Sequence, residues 1–198
     1  MNAEAAQKVR STPEEYLAME RSSPEKHDYC DGEVFAMAGA SKEHNLIVGN
    51  VVTALNIALR RRPCEVYPSD MRVKIPATAL YTYPDASAVC HRPAFEDDTA
   101  DTLLNPQVIV EVLSDATENY DRGTKFKNYR TLPSLVDYVL VSQTEVLVEH
   151  HVRQPDGSWL MREHRAGGRI ALSSIGCGLD VDDLYLKVFS AESPAPPS

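Results

Sequence analysis

The chain has 198 residues, with 20 basic against 29 acidic side chains and a net charge of −9. That balance excludes a protein that coats polyanions, and 43% hydrophobic with 25% charged residues excludes disordered, collagenous and coiled-coil classes. A single domain with a true core is the expectation at this length.

Residues 1–11 form an N-terminal extension with no apolar stretch that would serve as a signal peptide. No run approaches the roughly 18 apolar residues of a membrane span, so a cytoplasmic protein with no membrane partner is expected. Four cysteines, Cys30, Cys64, Cys90 and Cys177, are spread without a C-x-x-C pair and read as reduced, mostly buried thiols. The single domain is expected over 12–189, and the Pro/Ser-rich segment 190–198 reads as a disordered tail.

Thr12-Pro13-Glu14-Glu15 carries the signals of a helix start: Thr12 as N-cap, proline at the first helical position and Glu15 closing a capping box. The helix runs to about Arg21. Asp31-Gly32 is a two-residue hairpin turn between His27–Cys30 and Glu33–Met37. Ser41 caps a long helix in which Ile47, Val51, Leu55 and Ala58 recur at helical spacing, ended by Arg60-Arg61-Arg62 and Pro63.

Beyond Pro63 the period becomes two: Met71, Val73 and Ile75 alternate with Arg72 and Lys74, which places the two cations toward solvent or a ligand. Tyr81–Val89 is a second strand, interrupted where Pro84 cannot donate to a ladder. His91–Leu104 is acidic and unpatterned and reads as a surface loop. Val108–Leu113 is a short apolar run suited to a strand covered on both faces. A helix over Asn119–Arg130, a buried strand over Val136–Val141, and two more strands around the Pro155-Asp156-Gly157 turn complete the pattern. The sum is an α/β or α+β domain, helices packed on a mixed sheet.

Glu111 is the residue that demands explanation. It lies mid-strand among apolar neighbours, so it must be paired, protonated or bound to a metal. Ile109, Glu111 and Leu113 share one strand face, with Val108, Val110 and Val112 on the other. Asp85 follows Pro84 where the sheet opens, on a strand that chain order allows beside that of Glu111. Asp121 and Lys125 stand four apart on the next helix, and two carboxylates converging with a lysine suit Mg²⁺ (or Mn²⁺) and phosphodiester hydrolysis. The bland readings are a buried salt bridge for Glu111, a turn aspartate for Asp85, and helix capping for Asp121, the last preferred over a metal role. His44 either caps its helix or faces the site; His150 and His151 alternate and cannot share one ion. No glycine-rich phosphate loop, nucleophile elbow or dinucleotide fingerprint is present.

These motifs in order, Tyr83-Pro84-Asp85, Val110-Glu111-Val112-Leu113-Ser114 and Asp121-Arg122-x-x-Lys125 with Tyr129, preceded by Tyr29-x-Asp31-Gly32-Glu33 and Glu43-His44-Asn45, resemble the Uma family, assigned as bacterial endonucleases. The resemblance covers about Thr12 to Tyr185. It implies the restriction endonuclease-like fold of the PD-(D/E)XK superfamily, a mixed central sheet flanked by helices, here with extra C-terminal strands. It also implies Asp85 and Glu111 as metal ligands, Lys125 in place of the superfamily lysine whose usual position holds Leu113, and Glu33 as an assisting N-terminal carboxylate. DNA is the implied substrate, and a homodimer would address both strands. The alternative is a nuclease-fold binding or regulatory module with a vestigial site. The acidic balance excludes a broad basic surface yet leaves room for a local rim of Arg60–Arg62, Arg72, Lys74, Arg122 and Lys125.

Overall fold

Strand Val108–Leu113 is buried at all six positions, and the rest of the molecule is arranged around it. The structure is a computed structural model, and it describes residues 10–37, 39–114 and 117–189. In chain order the elements are α1 (Pro13–Glu20), β1 (His27–Cys30), β2 (Glu33–Ala36), α2 (Lys42–Leu59), β3 (Cys64–Pro68), β4 (Arg72–Ile75), β5 (Leu80–Thr82), β6 (Ala86–Cys90), β7 (Thr102–Leu103) and β8 (Val108–Leu113). A helical run follows as α3 (Glu118–Tyr120), a π-helical stretch (Asp121–Lys125) and α4 (Phe126–Tyr129). Then come β9 (Asp137–Ser142), β10 (Leu147–Arg153), β11 (Trp159–Arg165), β12 (Arg169–Leu172), β13 (Cys177–Asp180) and α5 (Val181–Leu184).

The expected caps form. Thr12 Oγ1 accepts the Glu15 N–H while the Glu15 carboxylate accepts the Thr12 N–H, and Ser41 Oγ accepts from His44 N–H. Asp31 and Gly32 both take positive φ, as the two-residue turn requires, and β1 and β2 pair around them with Cys30 opposite Glu33.

Two mixed sheets result. One has the order β11-β10-β9-β8-β6-β3, with only β8 and β9 parallel; the other has the order β2-β1-β5-β4-β7. On one face of the first sheet Val108, Val110 and Val112 pack against Ile47, Val51, Leu55 and Leu59 of α2, with β12, β13 and α5 extending that layer. On its other face Ile109 and Leu113 join Tyr129, Leu132, Leu135 and Tyr138, together with Val73, Ile75 and Leu80 of the second sheet. The period-two division of the Glu111 strand is thus the division between the two cores.

Several expectations are corrected. The Tyr81–Val89 run is two strands in different sheets, β5 and β6, and the chain crosses between them at Tyr83-Pro84-Asp85. The His91–Leu104 segment is not wholly a surface loop: β7 pairs parallel to β4, and Thr102 and Leu103 are buried. Arg72 does not face solvent; it is buried, donates to Thr102 Oγ1 and the Tyr83 hydroxyl, and lies over the Tyr16 and Tyr83 rings. Cys64 and Cys90 are not reduced thiols but a disulfide, because the unforeseen strand β3 sets Cys64 directly opposite Cys90. Cys30 and Cys177 remain free. No helix is long and apolar enough to cross a membrane among the described residues. The tail expected over 190–198 and most of the N-terminal extension lie outside the described residues.

Candidate active site

The β6–β8 ladder ends at Ala86 opposite Val110, so Asp85 is the next residue in register and faces Glu111. Pro84 has no N–H to continue the ladder, and the strand leaves the sheet there. The Asp85 carboxylate takes over: its Oδ2 accepts the Val112 N–H at 2.7 Å and meets His44 Nε2 at 3.2 Å. His44, in the first turn of α2, therefore faces the site, and its Nδ1 is buried without a hydrogen-bond partner. Both of these contacts fall on Oδ2.

Glu111 is 3% exposed. Its Oε1 accepts from the Tyr129 hydroxyl at 2.8 Å and pairs with Lys125 Nζ at 2.8 Å. Burial pushes the Glu111 carboxyl up to about 8, with Lys125 opposing the shift and Asp121 and Asp85 adding to it. Burial works against the Lys125 charge too, but Glu111, Asp121 and Asp28 outweigh it and raise its pKa. The ammonium therefore stays charged, and Tyr129, its phenol raised by burial and by Glu111, stays a donor.

The helical run places these groups. In the π-helical stretch Asp121 and Lys125 are both buried, and their charges stand 3.5 Å apart. Widening the helix by one residue per turn at a functional position is a recurrent device. Asp121 is no helix cap, because it sits inside the helical run; it partners Lys125, and burial raises its pKa. Arg122 turns away to Glu118 and Glu149, so Lys125 rather than Arg122 is the cation paired with Glu111.

The sequence reading missed Asp28. It lies on β1, its Oδ1 is buried without a donor, and its charge acts on Lys125 and on Asp121. Burial raises its pKa, with Lys125 opposing. Glu33 shares its face of the hairpin but lies at the turn, opposite Cys30, while Phe35 stands opposite Asp28. The available signal was an acid in the middle of a short strand, the argument already applied to Glu111.

The basic rim expected around the site is largely committed elsewhere. Arg72 is buried, Lys74 pairs with Glu96, and Arg122 pairs with Glu149. Arg60–Arg62 end a helix on the opposite face of the sheet, ~25 Å along α2 from His44.

The donor set fits a divalent ion. Four acids, Asp28, Asp85, Glu111 and Asp121, interact around one lysine, more acids than that lysine can balance in a buried place. On Asp85 and Glu111, which stand on neighbouring strands, the hydrogen bonds and ion pairs among the described residues fall on one carboxylate oxygen each. Among the described residues no three His, Cys, Asp or Glu side chains form a metal cage by themselves; an ion such as Mg²⁺ takes only one or two protein carboxylates and keeps its other ligands as water.

A mixed α/β domain with mixed sheets and an acid-lysine cluster at the sheet opening is the class that fold and site define. A crystal structure of a putative nuclease belonging to DUF820 from Anabaena variabilis shares this fold, with a TM-score of 0.72 at 15% identity over 89% of this chain and 98% of that one. The chain belongs to the Uma2 family, described as putative restriction endonuclease, whose model matches residues 13–182. Two uncharacterized Synechocystis proteins are similar to it: slr1290, 41% identical over 88% of this chain and 90% of that protein, and sll1609, 37% identical over 77% and 86%.

Proposed function

We propose that the chain is a Mg²⁺- or Mn²⁺-dependent endonuclease that hydrolyses phosphodiester bonds in DNA. The observation that carries this reading is the placement of Asp85 and Glu111 opposite one another in one register, with Lys125 at 2.8 Å from Glu111. Asp85 and Glu111 are the ligands. A bound divalent ion supplies Lewis-acid stabilisation of the phosphoryl group and acidifies a coordinated water.

The chain does the rest. His44 and the Val112 N–H fix the rotamer of Asp85, while the Tyr129 hydroxyl fixes that of Glu111. Lys125, kept charged by the surrounding acids, orients the attacking water or stabilises negative charge developing on phosphate. Asp121 holds the lysine chain over Glu111. We assign the assisting role of an N-terminal carboxylate to Asp28, whose charge reaches Lys125, rather than to Glu33.

The family description and the shared fold support an endonuclease, and the electrostatics favour a working site over a structural ion pair. A carboxylate placed only to pair with lysine has no need of two further acids that push its pKa up. The test is incubation of supercoiled plasmid with the protein and Mg²⁺ or Mn²⁺ at several salt concentrations. Nicking that EDTA abolishes is expected; intact plasmid under every condition overturns the reading in favour of a nuclease-fold binding module.

A further inference from the structure

Beyond the acid cluster, the same face of the six-stranded sheet carries a second feature. The registers Glu111 opposite Leu140, Leu140 opposite Glu149 and Glu149 opposite Glu163 define one face, and Trp159, four residues before Glu163 and opposite Arg153, belongs to it. Trp159 lines a shallow groove of about 420 Å³ together with Gly157, Thr78, Lys127, Arg130 and Thr131. Strand geometry puts Trp159 about 13 Å along the strands and three strands across from Glu111, roughly 20 Å in all. Both sites are served by one helical run, since Lys127 and Arg130 follow Lys125 directly.

Three observations assign a ligand chemistry to this groove. Lys127 and Arg130 are exposed and take part in no ion pair among the described residues. Arg130 instead lies over the Phe126 ring, Phe126 meets Trp159 edge to face at 5.2 Å, and the Arg153 guanidinium lies over the Trp159 ring at 5.0 Å, so rings and cations cluster beside the groove. Thr78 Oγ1 is buried there with no hydrogen-bond partner. Cations for phosphates with an aromatic ring for a base is the arrangement by which proteins hold single strands, because every base has a face to stack once it is unpaired. The volume falls in the range that takes one nucleotide-sized ligand, far short of a duplex.

We propose that this groove seats an unpaired strand of the substrate, with Lys127 and Arg130 on its phosphates and a base against Trp159. The inference rests on the endonuclease reading for the purpose of the groove, and it gives the substrate class: single-stranded DNA, or duplex with a single-stranded end, in preference to continuous duplex.

Trp159 is the one tryptophan in the chain, so its emission reports on the groove alone. The metal-free protein is titrated with a ten-residue oligothymidylate and with a blunt duplex of equal length. Quenching by the single strand, with at least tenfold tighter binding than the duplex, is expected. The exposed double variant Lys127→Glu/Arg130→Glu loses at least tenfold in affinity, and its salt slope for the single strand falls by about 1.4, two phosphate contacts at about 0.7 each. Binding without change in Trp159 emission, equal affinity for the duplex, or an unaffected double variant with wild-type circular dichroism each overturns the inference. Plasmid nicking alongside an unresponsive Trp159 sinks the groove and leaves the nuclease standing. Quenching without nicking keeps the groove as a single-strand site and removes the hydrolytic reading.

Discussion

Lys125 Nζ lies 2.8 Å from Glu111 Oε1, and the two side chains are only 8% and 4% exposed. One comes from a helical run and the other from the central strand, so the contact ties the helix layer to the sheet. Breaking a buried pair from one side leaves the other charge stranded, at a cost of about 3–5 kcal/mol. Glu111 has an escape, because it can take up a proton below about 8. Lys125→Met should therefore destabilise the protein much more at pH 9 than at pH 6. Urea unfolding at the two pH values measures this, and an equal loss at both would contradict the arrangement.

The Glu111 carboxyl also gives the metal-free protein a pH dependence with a definite sign. Its folded pKa, about 8, lies above the ordinary 4.5, so folding favours the protonated form. Its contribution is intact below about 4.5 and is lost progressively as pH rises to about 8. Melting temperature in EDTA should fall across that window, and Glu111→Gln should flatten the fall. A divalent ion should restore stability most at the alkaline end, since it replaces the proton.

Arg21, just past α1, grips Asp101 and Asp97 of the β6–β7 connection. The hydrogen bond from Arg21 holds the Asp101 carboxyl down to about 2, burial opposing and Arg72 adding to it. A depressed carboxylate stabilises the fold fully above its ordinary 3.8, and that stabilisation disappears as pH falls toward 2. Both side chains are about a third exposed, so screening limits the pair to ~1 kcal/mol or less. Asp101→Asn should lower the melting temperature slightly at pH 7 and not at pH 2.

The Cys64–Cys90 disulfide closes a loop over a sequence separation of 26. Loop-closure entropy for that length is worth about 3.5 kcal/mol. Titration of the unfolded, unreduced protein should count two thiols, Cys30 and Cys177, and four after reduction. Cys90→Ser should lower unfolding free energy by about 2–4 kcal/mol.

Much of this was legible in the sequence where local rules govern. Thr12, Ser41, Gly32 and the alternation through Val108–Leu113 each act through neighbours a few residues away, and each forms as read. Glu111 stood out because a carboxylate cannot be buried idly, and Pro84 marked where the ladder ends beside Asp85. What sequence could not show depends on pairing across the chain. Strand β3 has no clean alternation and exists because β6 offers it an edge, and the disulfide follows from that register. Arg72 sits at an outward-reading position, but β7 and α1 fold over it. Asp28 was hidden by brevity, since a four-residue strand gives period two little to work on.

The central claim is that Asp85, Glu111 and Lys125 form one hydrolytic site, and the nicking rate of Glu111→Gln against wild type on supercoiled plasmid with Mn²⁺ tests it most directly. Glutamine keeps the size of the side chain and an oxygen for Tyr129 and removes only the charge. The account predicts a fall of at least a thousandfold with the variant still folded. Nicking that persists at the wild-type rate in Glu111→Gln would contradict it.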